Sequence, residues 1–290
     1  MSRPNTRILP VLAVLCSILS VQAGASFSKH LFPALGAEGV TALRQLYSAL
    51  LLLLVFRPWT GGPARKDWGV VLLYGALLGI MNLTFYLAIA RLPLGIGVAL
   101  EFLGPLTVAI VSSRQARDFV WVACAVAGLA LLIPWNSHTG ALDPVVVAWA
   151  LVAALCWGLY IIVGQKVSDR AHGGKAVALG MTFSLVLTLP VGMIHAGAAL
   201  WAPAILPWAV AVAVLSSAIP YSLEMMALRH IPAKTFGLMM SLEPAAGATL
   251  GFLIVGERLS LTQVAAIALV IVASAGSSLT ARRPVDESLP

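Results

Sequence analysis

Residues 94–113 constrain this chain most. They form a run of 20 residues in which only Glu101 is charged, with VALEFLGPLTVAI at 98–110. An α-helix needs about 20 apolar residues to cross about 30 Å of hydrocarbon. In lipid every backbone polar group must be satisfied internally, which leaves helix bundles and closed barrels. The apolar runs here are continuous and do not alternate, so a barrel is not the expectation. Near the middle of the run stand a carboxylate and a proline. Pro105 lacks an amide hydrogen, and its ring clashes with the carbonyl four residues back, that of Glu101. One turn therefore offers a kink, a freed carbonyl and a carboxylate.

Such segments recur. Of 290 residues 60% are hydrophobic and 10% charged, against about 25% charged in a soluble domain. With a mean hydropathy of +0.96, the apolar excess cannot be one buried core, and an all-α polytopic membrane protein is expected, its solvent a lipid bilayer. Ten spans are predicted, at 8–28, 39–56, 68–90, 94–113, 118–135, 144–165, 175–197, 206–228, 233–255 and 261–281. The net charge of +7 is not a nucleic-acid footprint, because the basic residues lie at span ends and form no stripe. With the N-terminus placed in the cytoplasm, 14 Lys and Arg fall on inside segments and three (Lys29, Arg91, Arg258) outside, and Arg44 within span 2 completes the 18. That asymmetry supports the span count and puts both termini inside. Arg3, Arg7 and VQAGA at 21–25 loosely resemble a secretory signal peptide. Cleavage would leave nine spans and delete polar residues with later counterparts, so a first span is the expectation. No long hydrophilic tail suggests an attached soluble domain.

The chain repeats itself. AIARLP at 88–93 matches ALRHIP at 227–232, an offset of 227 − 88 = 139. The same offset carries Pro105 to Pro244, and an offset of 137 carries Ser28-Lys29 to Gln165-Lys166. Two five-helix halves follow, 1–140 and 141–290. Five is odd, so the halves enter the bilayer in opposite senses, an inverted repeat of the kind secondary transporters use around a midplane substrate site.

Span 9 echoes span 4 in SLEPAAGATL, where Glu243 precedes Pro244. A charge at the centre of a lipid-facing helix costs about 2.5–3.5 kcal/mol on insertion scales. Glu101, Glu224, Glu243 and Arg44 must therefore face an interior, pair or carry protons. Two readings stand. Arg44 locks a carboxylate and fixes helix register, or the carboxylates bind an ammonium group or couple protons. Span 3 adds Asn82 and Tyr86; span 8 adds Tyr221 and Ser222 beside Pro220. These are interhelical hydrogen-bonding glue or the lining of one shared cavity. Pro105, Pro220 and Pro244 are candidate hinges.

Gly75-xxx-Gly79 and Gly247-xxx-Gly251 are small-residue spacings for close helix packing. The tryptophans near span ends read as interface anchors. Cys16, Cys124 and Cys156 lie in apolar runs without CxxC spacing and read as buried, inert thiols. No HExxH, Walker loop or ligand pairing occurs, so no metal or cofactor is expected and an ATP-driven pump is disfavoured. An intramembrane enzyme would need a positioned nucleophile and base; Ser or Thr near Glu is weak support for one, and no enzymatic activity is expected.

GVTALR at 39–44, PLGIGVALEFLGPLTVAIVSS at 93–113, DFVWV at 118–122, LSSAIPYSLEMMAL at 215–228, FGLMMSLEPA at 236–245 and Gly256-Glu257 together resemble the drug/metabolite transporter superfamily, and within it the EamA-type members. The resemblance covers about residues 10–283, departing mainly in the loops at 136–144 and 169–175. It implies ten helices in inverted repeats, a central cavity, a bacterial inner-membrane location, and efflux driven by an ion gradient rather than ATP. It also implies small substrates such as threonine and homoserine, with amphipathic drugs or other metabolites as the alternative. The oligomeric state stays open.

Overall fold

The computed structural model describes residues 5–61, 63–111, 118–132, 143–170, 173–228 and 239–280. Among them all regular structure is helical. The first element, α1 (Asn5–Phe56), runs 52 residues, which as one straight rod would be about 78 Å long at 1.5 Å per residue. It is two helices joined end to end at Gly36, whose φ of 68° and ψ of 168° no helix contains. Only a residue without a Cβ takes that conformation cheaply. The expected loop between spans 1 and 2 at 29–38 is therefore mostly helix. The first arm continues past Lys29 because partners elsewhere in the chain hold that side chain.

The remaining elements are α2 (Trp68–Ile89), α3 (Leu94–Glu101), α4 (Leu103–Val111), α5 (Asp118–Leu132), α6 (Pro144–Arg170), α7 (Gly173–Ala196), α8 (Leu206–Ala213), α9 (Ile219–Leu228), α10 (Glu243–Leu250) and α11 (Leu261–Thr280). Four helical stretches among the described residues are long and apolar enough to cross a membrane, one of them the broken α1. The expected span 4 is not one helix: it breaks at Phe102 into α3 and α4, where Pro105 denies a hydrogen bond. The expected span 8 is interrupted by a π-turn at Val214–Ala218, and α10 runs into another at Gly251–Val255. Such π-turns often mark functional segments. Of span 9, residues 233–238 lie outside the described residues.

Large apolar side chains cover the outside of the molecule, and a set of polar side chains is buried within its apolar core. Leu54, Ile194, Phe252 and Leu261 point outward, while Ser17, Gln22, Ser26, Arg44, Gln45 and Asn82 are buried. A water-soluble fold does not expose so many large apolar side chains, and a bilayer is the solvent that suits this surface. Helices approach closely at small residues. A Cβ on Gly79 would meet the backbone of Ser184, and one on Gly75 the carbonyl of Gly180, so α2 and α7 touch main chain to main chain as their glycine spacing predicts. Gly104 leaves no room at all, since a Cβ there would fall on the carbonyl of Ala154 in α6. Trp59, Trp201 and Trp208 are exposed. The cysteines are free, but only Cys156 is buried. Cys124 is half-buried and Cys16 exposed on the apolar outer face, a correction that follows from which side of each helix meets lipid.

Candidate functional site

Arg44 stands two turns after the Gly36 break, on the second arm of α1. Its side chain is 6% exposed. The guanidinium lies 4.7 Å from the centre of the Tyr86 ring. Its Nη2 donates to Asn82 Oδ1, and Nη1 donates to Ser216 Oγ at 3.4 Å. Asn82 and Tyr86 are one turn apart on α2 and so share a face. Asn82 Nδ2 donates to the carbonyl of Leu78 at 2.7 Å, fixing which way the amide points. Tyr86 is held from behind by Ser28, 3.1 Å from its hydroxyl, and edge-on by Phe32. Arg44 Nε has no hydrogen-bond partner among the described residues.

Three carboxylates gather nearby. Glu101 ends α3 and is 9% exposed; Glu243 begins α10 and is 5% exposed. Glu243 lies within electrostatic reach of both Glu101 and Glu224, and Glu101 within reach of Arg44. Glu224, in α9, accepts a hydrogen bond from Ser17 Oγ at 2.6 Å. The lock in which Arg44 grips a carboxylate directly is not what forms. Its hydrogen bonds go to Asn82 and Ser216, and Glu101 acts on it only across space.

The proline expectations divide. Pro105 lies inside α4, one turn past the break that follows Glu101. Pro244 does not kink a helix: it is in the first turn of α10, where a missing N–H costs nothing. Pro220 is buried in the first turn of α9, next to the π-turn that carries Ser216 and Ser217. Tyr221 and Ser222 are in α9, but their side chains lie outside the described residues.

Several participants escaped the sequence reading. Tyr160 of α6 lies within electrostatic reach of Glu224 and accepts a hydrogen bond at 2.8 Å from Tyr74, whose ring stacks on it. Cys156, one turn earlier, is within reach of Glu101. Gln45 Oε1 accepts from Ser184 Oγ and from Thr188 Oγ1. Single hydroxyls in an apolar run carry no periodic signal, so nothing short of the fold brings them out. No cluster of metal-ligating side chains occurs among the described residues.

Residues 144–279 match the EamA-like transporter family model. The threonine/homoserine exporter RhtA of Salmonella typhimurium strain LT2 is 48% identical over 275 residues, 95% of this chain and 93% of that protein. The same exporter of Escherichia coli K12 is 46% identical over an equal span. The chain belongs to the EamA-like transporter family. A solved crystal structure with 17% identity, covering 97% of this chain and 98% of its own, superposes with a TM-score of 0.62 and shows the fold alone.

Proposed function

We propose that this protein is a secondary-active exporter of small amino acids, threonine and homoserine among them. The observation that carries the reading is the charge imbalance at the buried site. Among the described residues three carboxylates, Glu101, Glu224 and Glu243, are within reach of one another or of a single cation, Arg44, whose hydrogen bonds go elsewhere. Uncompensated buried charge is costly. An ammonium group or a proton supplies what is missing, and an amino-acid substrate with protons as coupling ion supplies both in turn. Arg44 Nε, still unbonded, or the start of α10 suits a substrate carboxylate. Asn82 and Tyr86, beside Arg44, suit a side-chain hydroxyl, and Tyr221 and Ser222 join the proposal on their place in the sequence alone. The names of the two relatives support the cargo.

Ten passes in two inverted halves, 1–140 and 141–290, belong to the same proposal, with both termini in the cytoplasm of a bacterial inner membrane. The helix breaks support it: Phe102 plus the offset of 139 is Ser241, the turn before α10. Alternating access then comes from rocking the halves about Pro105, Pro220 and Pro244.

The test is efflux of threonine and homoserine from loaded cells lacking their own exporters. Wild type is expected to export both, and Glu101→Gln, at equal membrane level, to lose export. Efflux that survives in Glu101→Gln removes that carboxylate from the site. No efflux from either form moves the cargo to amphipathic cations or other ammonium-bearing metabolites.

A further inference from the structure

One partly buried charge pair plays no part in the site above. Lys29 Nζ pairs with Glu257 Oε1 and also donates to the carbonyl of Leu92 at 2.6 Å. Glu257 Oε2 accepts from the backbone N–H of Leu94 at 2.7 Å. That N–H opens α3 and has no partner inside its own helix. Both side chains are 12% exposed. The clasp joins α1 and the turn before α3 to the loop after α10, 228 residues further along the chain. Gly251 makes room for it, since a Cβ there would fall on Glu257 Oε2.

The clasp closes one end of a seam. α3 runs antiparallel to α10 and the π-turn beyond it. Leu94 faces Gly251, Gly95 faces Ala248, and Val98 faces Gly247. The same register brings Glu101 opposite Glu243, in agreement with the electrostatic reach between them. One end of the seam is thus the Lys29–Glu257 clasp, and the other is the carboxylate pair, seven residues or about 10 Å away along α3. At each of these contacts at least one partner is a glycine, so the helices can part without unthreading interlocked large side chains. The clasp balances one cation with one carboxylate and satisfies both with backbone groups; it needs no guest.

We propose that Lys29–Glu257 is a gate: it holds shut the end of the seam that the charge asymmetry places outermost, and α3 parts from α10 when it opens, exposing the carboxylates. The proposal rests on the transporter reading. The repeat offsets of 137 and 139 carry Lys29 to Lys166 and Glu257 to Asp118, so the same two charges recur in the other half, as alternating access requires.

Access can be measured without substrate. Val98→Cys, placed in a chain whose Cys16, Cys124 and Cys156 are replaced by serine, is labelled by a membrane-impermeant maleimide applied to either face of sealed vesicles. Glu257→Gln and Lys29→Gln are each expected to raise the labelling rate from one face about tenfold, the signature of a shifted closed–open equilibrium. The exchange Lys29→Glu with Glu257→Lys is expected to return it toward the parent rate. Equal rates in the parent and both single variants, at equal membrane levels, overturn the gate. Should the single variants not accumulate, Lys29→Cys with Glu257→Cys, joined by a flexible bis-maleimide that spans the length of the lost side chains, decides: export is expected before cross-linking and lost after it. Export that persists in fully cross-linked protein overturns the proposal. Labelling reads access alone and so separates a wrong gate from a wrong cargo; the cross-linking arm reads export and uses a cargo that the efflux assay has already shown to be exported.

Discussion

Two ionic clusters, both largely shielded from the surroundings, occupy the two ends of the α3–α10 seam, and they are built on opposite principles. At the Lys29–Glu257 end every charge is met: one cation, one carboxylate, a carbonyl for the first and an N–H for the second. At the other end Glu101, Glu224 and Glu243 outnumber Arg44, and the arginine's hydrogen bonds go to Asn82 and Ser216 rather than to any of them. A complete ionic set is a fastener. An incomplete one, held in place by its neighbours, is in the proposed reading a receptor for what it lacks. Tyr86, Asn82 and Ser216 hold Arg44 from three sides, and it makes no direct hydrogen bond to a carboxylate. The imbalance is maintained by the same polar residues that a helix bundle would otherwise use only as packing glue.

This contrast can be broken at its strongest point first. Neutralising one carboxylate of the incomplete set removes the charge a substrate ammonium needs, so Glu243→Gln is expected to lower export on the order of 100-fold with unchanged membrane level, the loss of a charge-assisted contact. Efflux rates normalised to immunoblots check it. Arg44→Lys keeps the charge but not the fork that spans Asn82 and Ser216 or the plane that stacks on Tyr86. Export is expected to fall about tenfold, with a larger effect on the half-saturating concentration than on the maximal rate if Arg44 holds the substrate carboxylate. Ser17→Ala frees Glu224 from its fixed partner and is expected to slow export about threefold, the net worth of one hydrogen bond. Tyr160→Phe is expected to change export least, within about twofold, since it strips only the hydroxyl that receives Tyr74. If Tyr160→Phe proves as damaging as Glu243→Gln, the receptor extends to α6 and the comparison must be redrawn around it.

Much of this was legible in the sequence, and the reason is specific. Glu101, Glu243, Glu224 and Arg44 stand out because a charge inside an apolar run is costly and therefore conspicuous. Pro105 likewise marks a real break, at Phe102. What stayed hidden depends on three-dimensional register. Nothing along the chain pairs Lys29 with Glu257, and the apolar runs of α1 gave no hint that the helix continues through 29–35 to Gly36. Pro244 reads as a kink in a sequence with no visible helix start, but α10 begins there. Ser17, Tyr74 and Tyr160 look like any polar residue in a span until α1, α2, α6 and α9 are brought together. Cys16 was misread because one apolar face of a helix cannot be told from another without knowing which meets lipid.

The central claim is that the surplus carboxylates bind an ammonium group, and equilibrium binding tests it most directly. Purified wild-type protein would be titrated with homoserine and with its analogue lacking the amino group, and Glu101→Gln and Glu243→Gln with homoserine. The account predicts saturable homoserine binding in wild type, at least about tenfold weaker binding in both variants, and no measurable affinity for the analogue. Equal affinity for homoserine and the analogue, or unchanged homoserine binding in both variants, would contradict it.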